Sequence, residues 1–216
     1  MRPWIGAAPL ALAVALTGCA TLGGVKDRAT TREPRQGPAT AAFAVEREGA
    51  SRRAALYDGL DHRADVSGTW LSPEVRLSAS RQLAEWQGWS EAELSKAQAA
   101  DLAAGEKGEE FVVAVFTAER KHNDLDGRPS VWHIELDDGT QRAAAASVEA
   151  MVADATVLQL FPYIGPFDLV YRVVVPWKGA PLQGRPFVLR VASALGAMEL
   201  DFGPRGQRTR RPFSGP

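Results

Sequence analysis

Residues 111–117 read Phe-Val-Val-Ala-Val-Phe-Thr, apolar on both faces of an extended chain. That is the pattern of a central strand. Around it lie shorter runs with period-two alternation. Ala64–Leu71 reads as a first strand. After the central strand, Trp132, Ile134 and Leu136 alternate with His133 and Glu135. Asp137-Asp138-Gly139 then carries the Asp-Gly signal of a hairpin turn, with Thr140–Glu149 as the returning strand. Val157–Phe161, Leu169–Val175, Phe187–Ala192 and Met198–Phe202 complete the series. Many short strands separated by Gly and Pro turns predict an antiparallel sandwich.

Between the first strand and the central one, the period changes to helical. Ser72-Pro73-Glu74 has an N-cap, a proline at the first helical position and an acid in the first turn. Ala79, Leu83 and Trp86 follow at helical spacing, and Gly88 ends the run. Ser90 and Glu93 then form a capping box for a second helix that closes near Gly105, with Trp89 and Leu94 placed as a hydrophobic staple. The expected fold class is therefore α+β. It is an antiparallel β-sandwich-like domain over 41–203, with a helical pair at about 73–105 inserted after the first strand.

The ends of the chain read differently. Arg2 is the only charge before Lys26, and Ile5–Leu16 is almost wholly apolar or small. This stretch is shorter than the roughly 20 residues of a membrane-spanning helix. It has the parts of a secretory signal peptide, over residues 1–18. Residues 19–40 are poor in side chains that could be buried, so they are expected to form a flexible tether that spans roughly 25 Å. Residues 204–216 are rich in Gly, Pro and Arg and are expected to be a loose basic tail.

Leu16-Thr17-Gly18-Cys19 resembles the lipobox of bacterial lipoproteins. The resemblance implies that Cys19 is acylated, becomes the first residue of the mature chain and holds the protein to a membrane of the cell envelope. Ala20, in place of an Asp after the cysteine, favours the outer membrane over the inner. Thr69-Trp70-Leu71-Ser72-Pro73-Glu74, the 111–117 strand, Asn123-Asp124-Leu125-Asp126 and Tyr171-Arg172-Val173 together resemble a group of uncharacterised bacterial envelope lipoproteins. That likeness covers 54–203 and implies no activity and no site residues.

Composition narrows the chemistry. One cysteine and three histidines exclude a disulfide framework, a Cys-rich zinc module and an iron–sulfur cluster ligated wholly by this chain. A net charge of −1 gives no field that would gather nucleic acid. His62 lies near Asp58, Asp61 and Asp65, a grouping that could hold a metal or do acid–base work, but Arg63 sits among them. His122-Asn123-Asp124-Leu125-Asp126-Gly127 has the oxygens and glycine of a cation loop. Read as an EF-hand it would put His122 first and His133 twelfth, where acids belong. The favoured reading is a polar strand connection. No nucleophile elbow, metalloprotease helix or phosphate loop is present. No metal, cofactor or catalytic residue is expected.

The turn from Phe161 to Phe167 carries Phe161, Tyr163 and Phe167 between two prolines and a glycine. It could touch a partner or cap the core. The function expected is a lipid-anchored envelope protein acting as a structural or interaction module, with the membrane and other envelope proteins as partners. The alternatives are a lipid-anchored hydrolase, or a sandwich that binds a lipid or sugar.

Overall fold

The computed structural model describes residues 37–203. Cys19, the expected tether up to residue 36 and the basic tail lie outside these residues. Among the described residues there are four α-helices and nine β-strands, and every strand pairing is antiparallel.

The chain enters through helix α1 (Pro38–Gly49) and turns at Ala50 into the hairpin β1 (Ser51–Asp58) and β2 (Asp61–Trp70). Helices α2 (Pro73–Gln87) and α3 (Glu91–Gly105) follow, and then β3 (Glu109–Thr117). The rest is β4 (His133–Asp137), β5 (Arg142–Ala144), β6 (Ser147–Met151), α4 (Ala155–Leu160), β7 (Leu169–Val175), β8 (Val188–Ser193) and β9 (Gly196–Asp201). One sheet has the order β1-β2-β3-β7-β6, and the other β5-β4-β8-β9.

The two-faced pattern of 111–117 explains the layers. Phe111, Val113 and Val115 point into the core shared by the two sheets, where they meet Val173, Leu136, Leu189, Val191 and Leu200. Val112 and Ala114 point the other way, into a second core beneath the helices with Phe43, Val75, Phe161 and Val170. β3 is thus buried on both sides, in the middle of its sheet. Burying each large apolar side chain stabilises the fold by roughly 1.5–3 kcal/mol. Gly68 permits the close approach of the sheets, because a Cβ there would stand 2.7 Å from Leu200 Cδ1.

The helix boundaries follow the cap chemistry. Ser72 Oγ accepts from Val75 N, and Gly88 ends α2 in the left-handed conformation at φ 69°. The capping box of α3 is complete: Glu93 N donates to Ser90 Oγ, and Ser90 N donates to Glu93 Oε2 at 2.7 Å.

The α+β sandwich-like class agrees with expectation, and four details differ. The helical pair follows the second strand, because β1 precedes it. β1 is an edge strand whose inward residues Ala54 and Leu56 are only partly buried, so its alternation is faint. Helix α1 takes in 38–40, expected to belong to the tether, because the chain is rich in alanine there and buries only Phe43, which leaves little apolar periodicity to mark it. Val157–Phe161 is not a strand: Asp154 Oδ1 accepts from Val157 N at 2.8 Å and starts α4. Thr140–Glu149 is not one strand either. The alanine run turns the chain at Ala145 and Ala146, so β5 pairs in one sheet and β6 in the other.

Polar contacts lock the helical layer to the sheet. Arg76 Nη2 contacts Glu110 Oε2 at 2.5 Å, with both side chains buried, and Arg172 pairs with the other oxygen of Glu110. Arg76 Nε donates to Leu71 O, and Ser80 Oγ donates to Asp101 Oδ2, tying α2 to α3. Gln82 on α2 contrasts with these. It is fully buried, and neither amide atom has a hydrogen-bond partner. An unpaired buried amide costs about 1–3 kcal/mol. Gln82→Met, of similar shape, should therefore raise the unfolding free energy by about 1–2 kcal/mol in urea titrations. A loss of stability would show that the amide is satisfied.

Candidate functional site

A cavity of about 530 Å³, open to solvent, lies between helix α1, the start of β1, the end of β2 and the chain that flanks β8 and β9. Its size falls in the roughly 300–1,000 Å³ range of small-ligand sites. Val45, Glu48 and Gly49 of α1 form one wall, and Leu182, Gly184 and Arg185 of the segment before β8 form another. Arg52, Trp70, Phe187 and Phe202 complete the lining.

The aromatic floor follows from strand register. Trp70 is the last inward residue of β2 and pairs with Phe111 of β3. Phe187 and Phe202 flank β8 and β9, and Phe202 N donates to Phe187 O at 2.9 Å. The Phe187 and Phe202 rings stack, with centroids 4.9 Å apart and planes at 12°. Trp70 meets Phe187 edge-on at 5.0 Å. Phe111 packs against both phenylalanines from the core side, at 6.4 and 5.7 Å. Such pairs contribute about 0.5–1.5 kcal/mol each beyond their buried area.

Polar contacts hold this floor. Trp70 Nε1 donates to Glu109 Oε2 at 2.7 Å. Burial pushes the Glu109 carboxyl above the usual carboxylate range, opposed by the Trp70 hydrogen bond and the Arg76 charge. Arg52 reaches across from β1: its Nε donates to Asp201 O at 2.6 Å and its Nη1 to Gly49 O at 2.7 Å. Its guanidinium lies 5.4 Å from the centroid of the Phe202 ring. Arg185 pairs with Asp138 at 3.3 Å. The Asp138 carboxylate accepts from the Thr140 hydroxyl and from the N–H groups of Thr140 and Gln141, which lower its pKa to about 2.

The residues singled out from sequence lie elsewhere. None of the three histidines lines this cavity. His62 is turned by a bulge at the β1–β2 register shift, where Leu56 faces Ala64 but Tyr57 faces His62. Its ring sits between Tyr57 and Phe116, at 5.1 and 5.7 Å. Nε2 is 3.0 Å from Asp65 Oδ2, an ion-pair distance without hydrogen-bond alignment. Arg63 draws Asp58 and Asp61 to itself, at 2.9 and 3.8 Å, and so splits the acidic group. Among the described residues, no group of three or more His, Cys, Asp or Glu side chains is placed to hold a metal ion.

The 122–127 segment is a polar connection folded onto the sandwich. Asn123 Nδ2 donates to Val115 O, Gly127 N to Asp124 O and Trp132 Nε1 to His122 O. Leu125 is buried in the core. Tyr171 nearby is fully buried, and burial, with the charges of Asp126 and Asp124 adding to it, pushes its hydroxyl up to about 12. His133 is exposed beside Glu135, at 3.8 Å.

The aromatic turn divides. Phe161 is buried in the second core. Tyr163 packs against that core, accepts from Thr69 Oγ1 at 2.9 Å and donates to Val112 O at 3.2 Å. Burial pushes its hydroxyl well above the usual phenol range. Phe167 alone of the three is exposed, at 78 %. The cavity was not legible in the sequence. Its lining comes from separate segments brought together by sheet closure, and the nearest local signal was Trp70 at the end of its strand. Compared with known proteins, the chain matches no protein-family model, no curated protein and no solved structure.

Proposed function

We propose that this chain is a lipid-anchored protein of the cell envelope whose two-sheet domain acts as an interaction module. The observation that carries the anchor is Leu16-Thr17-Gly18-Cys19, placed after a short apolar segment that starts from Arg2. Cys19 is the only cysteine, so acylation has one target. Two or more acyl chains on it make a stable anchor, since each buried methylene contributes about 0.8 kcal/mol. Ala20 after the cysteine favours the outer membrane.

The open cavity supports an interaction role. A braced aromatic floor with charged planar groups at its rim loses little freedom when something binds, and that preorganisation favours affinity. The anchor is tested by Cys19→Ala in the producing cell. The variant is expected to lose palmitate labelling and to move from the membrane to the soluble fraction. Unchanged labelling and fractionation would overturn the anchor.

A further inference from the structure

Resting on the reading of Cys19 as a lipid anchor, we infer that α1 is a releasable strap. It detaches from α2 about a hinge at Gly49 and Ala50 while the two sheets stay folded, and so lengthens the connector between anchor and domain. Three observations carry this. First, α1 is held weakly. Among its residues Phe43 alone is buried, and α2 is the one described element that it packs against extensively. Gly37 has no side chain to cap its first turn, and that turn holds no acid.

Second, docking strands polar groups. Ala39 N donates to Glu85 Oε2 at 3.3 Å, which sets the first turn of α1 against the last turn of α2. Beside that contact, the Thr40 hydroxyl and the Trp86 indole N–H are buried with no hydrogen-bond partner among the described residues. Gln82, one turn before Trp86, is in the same state. Trp86 packs against the core that takes Phe43. Once α1 leaves, water reaches the hydroxyl and the indole, so release restores hydrogen bonds that docking denies.

Third, the hold changes at the hinge. Ala50 O accepts from Trp70 N at 2.9 Å, and Ser51 pairs with Thr69 in the β1–β2 ladder. The sheet therefore keeps the chain from Ala50 onward. The ties that reach onto the last turns of α1 are side-chain hydrogen bonds: Ser51 Oγ to Arg47 O, Arg52 Nη1 to Gly49 O and Arg47 Nη1 to Leu160 O. Water replaces such bonds at small net cost. A Cβ at Gly49 would meet nothing within 4 Å, so the hinge has room to turn. A freed helix of 12 residues is marginal in water and unwinds. It then adds up to roughly 40 Å of extended chain to the connector. Release also takes Val45, Glu48 and Gly49 out of the cavity wall.

The strap is tested by hydrogen exchange on the full-length lipidated protein in detergent micelles, at rising sub-denaturing urea. Amides of 42–49 are expected to exchange about tenfold or more faster than those of 111–117, with a shallower rise in urea because less surface opens. They should still exchange about tenfold or more slower than in the unfolded chain, as docked amides must. Phe43→Ala should speed them about a hundredfold. Reach is read by energy transfer on vesicles that contain an acceptor lipid. The donor dye sits on Leu102→Cys, an exposed position of α3, since acylated Cys19 has no free thiol. Phe43→Ala should lower that transfer.

The inference is overturned if 42–49 exchange at the rate and urea dependence of 111–117, because α1 then opens only with the whole domain. Exchange of 42–49 at the unfolded rate overturns it too, as does unchanged energy transfer in a Phe43→Ala protein that has lost α1 protection. Should Phe43→Ala fail to fold by circular dichroism, Phe43→Leu replaces it. Co-flotation of the parent protein with vesicles reads the anchor separately. A chain that does not float loses the anchor, and exchange of 42–49 still decides the strap.

Discussion

Glu110→Ala should lower the unfolding free energy by about 3–5 kcal/mol, the usual cost of stranding one half of a buried ion pair. Glu110 sits on β3 beneath α2 and is 3 % exposed. It takes Arg76 on one oxygen and Arg172 on the other. Arg172 is half exposed and can turn to water, but Arg76 is 6 % exposed and cannot. Without Glu110, its guanidinium keeps the hydrogen bond to Leu71 O and only the longer-range charges of Asp101 and Glu109. The double variant Arg76→Met, Glu110→Leu should lose far less, because no charge is left buried. Urea denaturation of the two singles and the double gives the coupling directly. A Glu110→Ala cost below about 1 kcal/mol would mean that the pair behaves as an exposed one.

Phe111→Ala should be comparably severe, at about 3–5 kcal/mol, as for other buried phenylalanines. Phe111 is fully buried and supports Phe187 and Phe202 from behind. Its removal takes away the packing under the aromatic floor. The melting temperature should fall on the order of 10 °C. Phe111→Leu, which keeps more of the volume, should give a smaller effect. A Phe111→Ala cost below about 1 kcal/mol would show that the site collapses around the missing ring.

Several elements could be read without tertiary context because their causes are local. Ser72, Pro73, Gly88, Ser90 and Glu93 start and stop two helices through contacts within one turn. The apolar run of β3 demanded burial on both faces, and the two cores provide it. The Asp-Gly turn after β4 closes through the Asp138 carboxylate on the next residues. The reading failed where local preference was weak. Val157–Phe161 has β-branched and aromatic residues that suit a strand, yet the Asp154 cap and the fit of Leu160 into the second core make it a helix. The alanines at 143–146 favour helix locally and mark no apolar face, so sheet pairing overrode them and decided where the chain would bend.

The expected site residues illustrate the same division. His62 and its three acids are neighbours in sequence, yet one bulge and one arginine separate them. Phe161, Tyr163 and Phe167 share a turn, and only Phe167 faces water. The cavity arises from α1, β1, β2 and the ends of β8 and β9, whose residues lie more than 150 positions apart from Val45 to Gly203.

By itself, the sequence determined the α+β class, the helical pair with its caps, the central place of β3 and the lipobox-like start, since each is written in adjacent side chains. Only the tertiary structure decided which strands share a sheet, which way His62 and Phe161 turn, and that a cavity forms beside Trp70. Those outcomes depend on long-range burial and register, which no window of neighbouring residues contains.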